Sequence, residues 1–354
     1  MRRKLAPGVG GVLLLSLVVL ADVASAGKFT DWQTGSDPAA KKEEKKEDKL
    51  PRIKRPVMFN TPEADYLLSR MKVLPDDSPW KWDVSKLPVA KNSKEMIRAI
   101  SENGSLRGCW EMAFVIVPSD QVKVPVKLVK YPGESDPGPY PVPDVMPIQG
   151  WPMYGGDLRT HQAATGGDRH GIVVDPYSGR LYEFYQARRM ADGWEAAQAS
   201  IFDLTSNRLR PKGWTSADAA GLPIFPGVIR YDEVERGIVA HAMRVTVERT
   251  RRDYLYPARH FASPHTDPNL PRMGERLRLR RDFDVSKFPA HCQAVLNGLK
   301  KYGMIVADNG GNWDLCLTPD TRIQGMQSLK RVTGRDFEVV DVSALVREAE
   351  AKNP

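Results

Sequence analysis

The sequence is sparing with the residues that bind metals and build redox centres: three cysteines and six histidines in 354 residues. No C-x-x-C spacing joins Cys109, Cys292 and Cys316, which argues against a thioredoxin-like motif or a zinc ribbon. No H-E-x-x-H helix, phosphate loop or dinucleotide fingerprint occurs, so the common zinc-protease and nucleotide chemistries find no support. Internal repeats are missing too, which disfavours a bladed propeller. After residue 21 no apolar run is long enough and free enough of charge to cross a bilayer. The odd cysteine count leaves at least one thiol unpaired. Cys292 and Cys316, flanking a helix-to-strand unit, are the expected disulfide pair, with Cys109 buried beside Trp110.

What is present begins with an export signal. Arg2, Arg3 and Lys4 precede an apolar run over residues 12–21, and Ala24, Ser25 and Ala26 supply the small residues of a cleavage site. Residues 1–26 thus read as a signal peptide. The mature chain is expected to be secreted or periplasmic, with cell-surface association open and no membrane span after cleavage. The formal net charge of +8 falls to about +6 without the leader, and its charges are interspersed. The basic run over residues 277–281 alternates with leucine as the solvent face of a strand would, and no nucleic-acid partner is expected.

Residues 27–56, rich in Lys and Glu without an apolar stripe, read as a flexible spacer. A single β-rich domain is expected over 57–332, followed by a loosely packed tail over 333–354. Thr61 with Pro62 announces a helix, Asn92 and Glu95 have capping-box spacing before a second, and Gly303 ends a third over 289–302. Period-two stretches predominate elsewhere. The clearest is the hairpin of residues 171–174 and 181–185 about an Asp-Pro-Tyr-Ser-Gly turn. Many short strands without β–α alternation predict a mostly β fold, an antiparallel β-sandwich or jelly-roll-like domain with a few short helices.

The segments GGDRH at 166–170, FDLTSNRLRPKGWTSADAAGLPIFPG at 202–227, YPARHFAS at 256–263 and YGMIVADNGGNW at 302–313 resemble those of a largely uncharacterised family of secreted bacterial β-rich proteins. The resemblance covers about residues 57–325. It implies one continuous exported domain and carries no reaction with it.

The candidate chemistry is carboxylate chemistry. Asp168, two residues before His170, shares its strand face if the strand starts at once, and it serves equally as a turn cap after Gly166 and Gly167. Asp308 ends an apolar strand at a glycine-rich turn. Asp168, Asp308 and His170 are therefore the catalytic candidates, the two acids forming the pair that glycoside hydrolysis requires. Trp214 and Trp313 are candidate sugar platforms, with Asn312 and His260 beside them, and Arg210 would favour an anionic substituent on a polysaccharide or cell-surface glycan. An exported polysaccharide hydrolase without a cofactor is the leading expectation. The alternatives are a non-catalytic glycan-binding or envelope protein, a uronate lyase with His170 or Tyr185 as base, and a metal-dependent enzyme built on His170, His260 and Asp168.

Overall fold

The computed structural model describes residues 50–352; the leader, and the spacer up to residue 49, lie outside the described residues. β1 (Val57–Met58) leads into α1 (Pro62–Arg70), where the Thr61 hydroxyl accepts the Ala64 amide at 3.2 Å and Leu67 and Leu68 turn inward. α2 (Ser93–Ile100) buries Met96, Ile97 and Ile100, although Asn92 makes no side-chain cap. Short strands follow: β2 (Arg107–Trp110), β3 (Val115–Ile116) and β4 (Val126–Leu128), and then α3 (Leu158–Ala163).

The hairpin forms as the sequence predicts. β5 (Gly171–Asp175) and β6 (Arg180–Tyr185) pair antiparallel, and the Asp175 carboxylate closes the turn by accepting the amides of Tyr177 and Ser178. β7 (Arg188–Met190), β8 (Gly193–Ala196) and β9 (Gln198–Asp203) complete this half. α4 (Tyr231–Glu235), β10 (Met243–Val247), β11 (Arg276–Leu279), α5 (Ala290–Lys301), β12 (Met304–Asn309) and β13 (Asp314–Leu317) build the other. β14 (Phe337–Val339) and α6 (Ser343–Lys352) follow where a loose tail was expected; β14 pairs with β11 and α6 buries Val346.

The strands form three open sheets, ordered β1-β3-β5-β6-β9, β14-β11-β12-β10-β13-β2 and β4-β8-β7. This corrects the predicted sandwich or jelly roll: the fold is mixed α/β. Four strand pairs, β3–β5, β4–β8, β10–β12 and β13–β2, run parallel, a pattern that an antiparallel sandwich does not contain. Parallel neighbours need long crossovers, and the one from β10 to β12 runs through β11 and α5, which buries Cys292, Ala294, Val295, Leu296 and Leu299. Short strands look alike in sequence whichever way they pair, so the alternation could not announce the direction.

The basic run departs from expectation in part: Arg280 and Arg281 face solvent, but Arg278 does not. All four residues of β11 are buried; Arg276 donates to the Tyr302 and Pro79 carbonyls, both at 2.7 Å, and Arg278 to the Val84 and Leu87 carbonyls and to the Glu338 carboxylate at 2.7 Å. None of the three cysteines is in a disulfide; Cys292 donates to the Gly325 carbonyl, so the predicted pair with Cys316 is not formed. Among the described residues no helix is long and apolar enough to cross a membrane.

Candidate functional site

Two carboxylates separated by 140 positions in sequence meet at one cleft. Asp168 stands just before β5, where its carbonyl accepts the Gln186 amide and so anchors it to the end of β6. Tyr185, the last residue of β6, lines the same cleft, its phenol pushed up by burial and then by the Asp168 charge. Asp308 lies near the end of β12. With Tyr131, Glu134, Thr215, Ala219, His260 and Asn309 among the remaining walls, they enclose about 270 Å³.

Asp308 reaches this position through a bulge. β10 and β12 pair as Arg244↔Ile305 and Val245↔Val306, and then the register slips so that Thr246 faces Asp308. Strict alternation would put Asp308 on the face of Val306, away from Arg244. The extra residue, Ala307, resets the alternation and turns the carboxylate towards Arg244. The bulge is secured from outside, because the Ala307 carbonyl accepts the Ala220 amide at 2.9 Å.

Arg244 is the hub behind the cleft. Its buried guanidinium grips Asp218 with two bonds, Nε to Oδ2 at 2.9 Å and Nη2 to Oδ1 at 2.7 Å, and Nη2 also reaches Asp308 at 3.0 Å. Its Nη1 donates to the Cys316 sulfur at 2.7 Å. Burial works against this charge, but Asp218, Cys316 and Asp308 more than compensate and hold Arg244 protonated. One guanidinium serves two carboxylates here, so one of them is undercompensated. Burial first, and then the Asp218 charge, push Asp308 up to about 8, against the pull of Arg244 and the Asn309 amide. The shift favours the protonated form of Asp308 near neutrality.

The other polar walls are fixed by their own bonds. The Ala219 carbonyl takes the Nδ1 hydrogen of His260 at 2.8 Å, which fixes the ring and leaves Nε2 as its other polar atom. Glu134 accepts the Thr215 amide at 2.8 Å. Beneath, fully buried Glu183 accepts the amides of Ile224 and Phe225 and so holds down the end of the loop that carries Thr215. Burial raises Glu183 to about 8.

The structure therefore brings Asp168, Asp308 and His260 together and leaves the other candidates elsewhere. Arg169 adopts a φ of +48° and the strand begins only at Gly171, so the alternation that placed His170 beside Asp168 does not apply. His170 is buried, its ring centroid 5.9 Å from that of Tyr185, and burial together with Arg244 drives it down to about 3. Trp313 is completely buried, donates to the Ser101 carbonyl at 2.8 Å and stacks on Phe337, so it offers no platform. Asn312 accepts the Glu248 amide at 2.8 Å outside the cleft. Arg210 is buried in an ion pair with Asp136 and holds the Glu134 carbonyl at 2.7 Å; Trp214 lies 5.5 Å from its guanidinium.

These placements correct the glycan expectation. The sandwich scaffold presumed for the polysaccharide hydrolase is absent, one of its two tryptophan platforms is core, and the arginine meant for a uronate does not line the cleft. The same losses remove the support for the lyase and the glycan-binding alternatives. Among the described residues no group of three or more His, Cys, Asp or Glu side chains is arranged to hold a metal ion, which overturns the metal-dependent alternative.

Arg244 and its bond to Asp308 were missed. The one available signal was a charged residue inside the otherwise apolar or small stretch Met243–Val247, and a buried arginine demands partners. Comparisons with protein-family models, curated proteins and solved structures find no match.

Proposed function

We propose that the cleft is a general acid–base site for a small polar substrate that is neutral or positively charged. Asp308 donates a proton to an oxygen or nitrogen of the substrate. Asp168, with Tyr185 beside it in the lining, or Nε2 of His260 accepts one from another position. The observation that carries this reading is the meeting of Asp168 and Asp308 in one cleft, where burial and the Asp218 charge push Asp308 upward. Acid–base catalysis of this kind needs a donor and an acceptor facing one bound molecule, with the donor's pKa near the working pH. About 270 Å³ is at the small end of ligand sites. The lining holds the acids Asp168, Glu134 and Asp308 and no lysine or arginine, which disfavours anions. Export by the leader belongs to this reading and is supported by the sequence.

The test has two parts. A ¹³C carboxyl titration should place the Asp308 midpoint near 8, and a midpoint near 4 would remove the proton donor. Incubation with a panel of small neutral and cationic metabolites, read by mass spectrometry, should show a conversion that falls by about 10²-fold or more in Asp308→Asn and in Asp168→Asn. A conversion untouched by either change would place the chemistry elsewhere.

A further inference from the structure

β13 and β2 run parallel with Cys316 directly opposite Cys109. Adjacent strands lie about 4.8 Å apart, and a disulfide spans Cα atoms roughly 4.4–6.8 Å apart. Directly opposed residues project from the same sheet face, and the Cys109 thiol senses the charge of Cys316. Cys109 is half-buried and lines an open hollow of about 430 Å³ with Arg107, Trp110, Asp314 and Lys330, so a small oxidant can reach it. Cys316 is buried, its sulfur held by Arg244.

We propose that Cys109 and Cys316 close a cross-strand disulfide under oxidising conditions, and that this bond is sensed at the acid–base cleft through Arg244. The oxidant is a small disulfide. The Cys109 thiolate attacks it, forms a mixed disulfide and expels one thiolate. The Cys316 thiolate then attacks the Cys109 sulfur and expels the second. Two electrons pass to the oxidant, which leaves as two thiols, and the protein loses two protons. Burial and the nearby Asp314 and Glu111 carboxylates hold the Cys109 thiol well above its ordinary range, and burial lifts Cys316 to about 12. The exchange is therefore slow near neutrality and quickens with alkali. The leader read over residues 1–26 would take the chain to a compartment where such bonds persist.

Once the sulfur is bound to Cys109 it is a poorer acceptor for Arg244 Nη1. That donor then turns to the carboxylates, which lowers the Asp308 midpoint. The bond itself is independent of the proposed catalysis; only its effect at Asp308 touches that site.

The test treats the full chain with oxidised glutathione, blocks remaining thiols, digests without reduction and maps the peptides by mass spectrometry. A Cys109–Cys316 linked peptide is expected, kept in Cys292→Ser and lost in Cys109→Ser, which should instead leave Cys316 free. Glutathione retained on Cys109, or both thiols recovered blocked in the wild-type chain, would overturn the bond. In the oxidised protein the carboxyl titration should show the Asp308 midpoint lowered. An unchanged midpoint beside a confirmed bond would overturn the coupling alone.

Discussion

Arg244 is the residue on which the cleft depends most heavily, because its single charge faces Asp218 and Asp308 together. Asp218 is fully buried, so loss of its partner would leave a carboxylate without compensation. Replacing Arg244→Met should destabilise the fold by about 3–5 kcal/mol, the usual result of breaking a buried pair from one side. Urea unfolding measures it. Asp218→Leu added to Arg244→Met should restore part of the loss, whereas an unchanged loss would mean that the arginine acts through packing. The two acids were legible as candidates because each stands at a strand end beside a glycine-rich turn, although Asp168 is exposed and Asp308 half-buried. His170 and Trp313 were misjudged at the same scale. The His170 reading ran a regular strand back through Arg169, which sits at φ +48°; the Trp313 reading took a glycine-rich turn to leave its ring exposed, whereas Trp313, at φ +64°, is turned into the core.

At the scale of elements, helix and hairpin boundaries followed from their local chemistry, but the pairing partners did not. The helix over 289–302 and its stop at Gly303 were legible because an apolar stripe and a glycine are both local signals. The structure shows what the glycine does: its φ is +68°, and an added Cβ would lie 2.2 Å from the Leu277 carbonyl oxygen of β11. Gly303→Ala should therefore lose stability by more than conformational strain alone, roughly 1–3 kcal/mol. Thermal unfolding would show it as a lowered midpoint; an unaltered one would mean that β11 yields freely at this point. The bulge at Ala307 carries the same lesson. It decides which face Asp308 occupies, yet it depends on the Ala220 amide 87 residues earlier, a contact no local pattern encodes.

For the whole molecule, the buried titratable groups predict how stability responds to pH. Glu183 and Asp308 keep their protons to about 8 in the fold, whereas unfolded carboxyl groups release theirs near pH 4. Their contribution is complete below pH 4 and is lost as pH rises towards 8. His170 works in the opposite sense, since its folded value of about 3 lies below the unfolded 6.5. Its contribution is present above pH 6.5 and is lost as pH falls through 3. Between about pH 7.5 and 8 the unfolded imidazole has released nearly all of its proton and the histidine contributes little slope, while the folded state holds up to two carboxyl protons that the unfolded chain has already released. Unfolding free energy should then fall with rising pH by at most about 2.8 kcal/mol per unit, near 1.4 for each group. Asp308→Asn should remove one share of that slope, Glu183→Gln the other, and the double variant should be nearly flat across the window. Urea titrations at closely spaced pH values decide it: a slope that survives in the double variant would assign the protons to other groups and leave Asp308 without the proton on which the cleft's acid role rests.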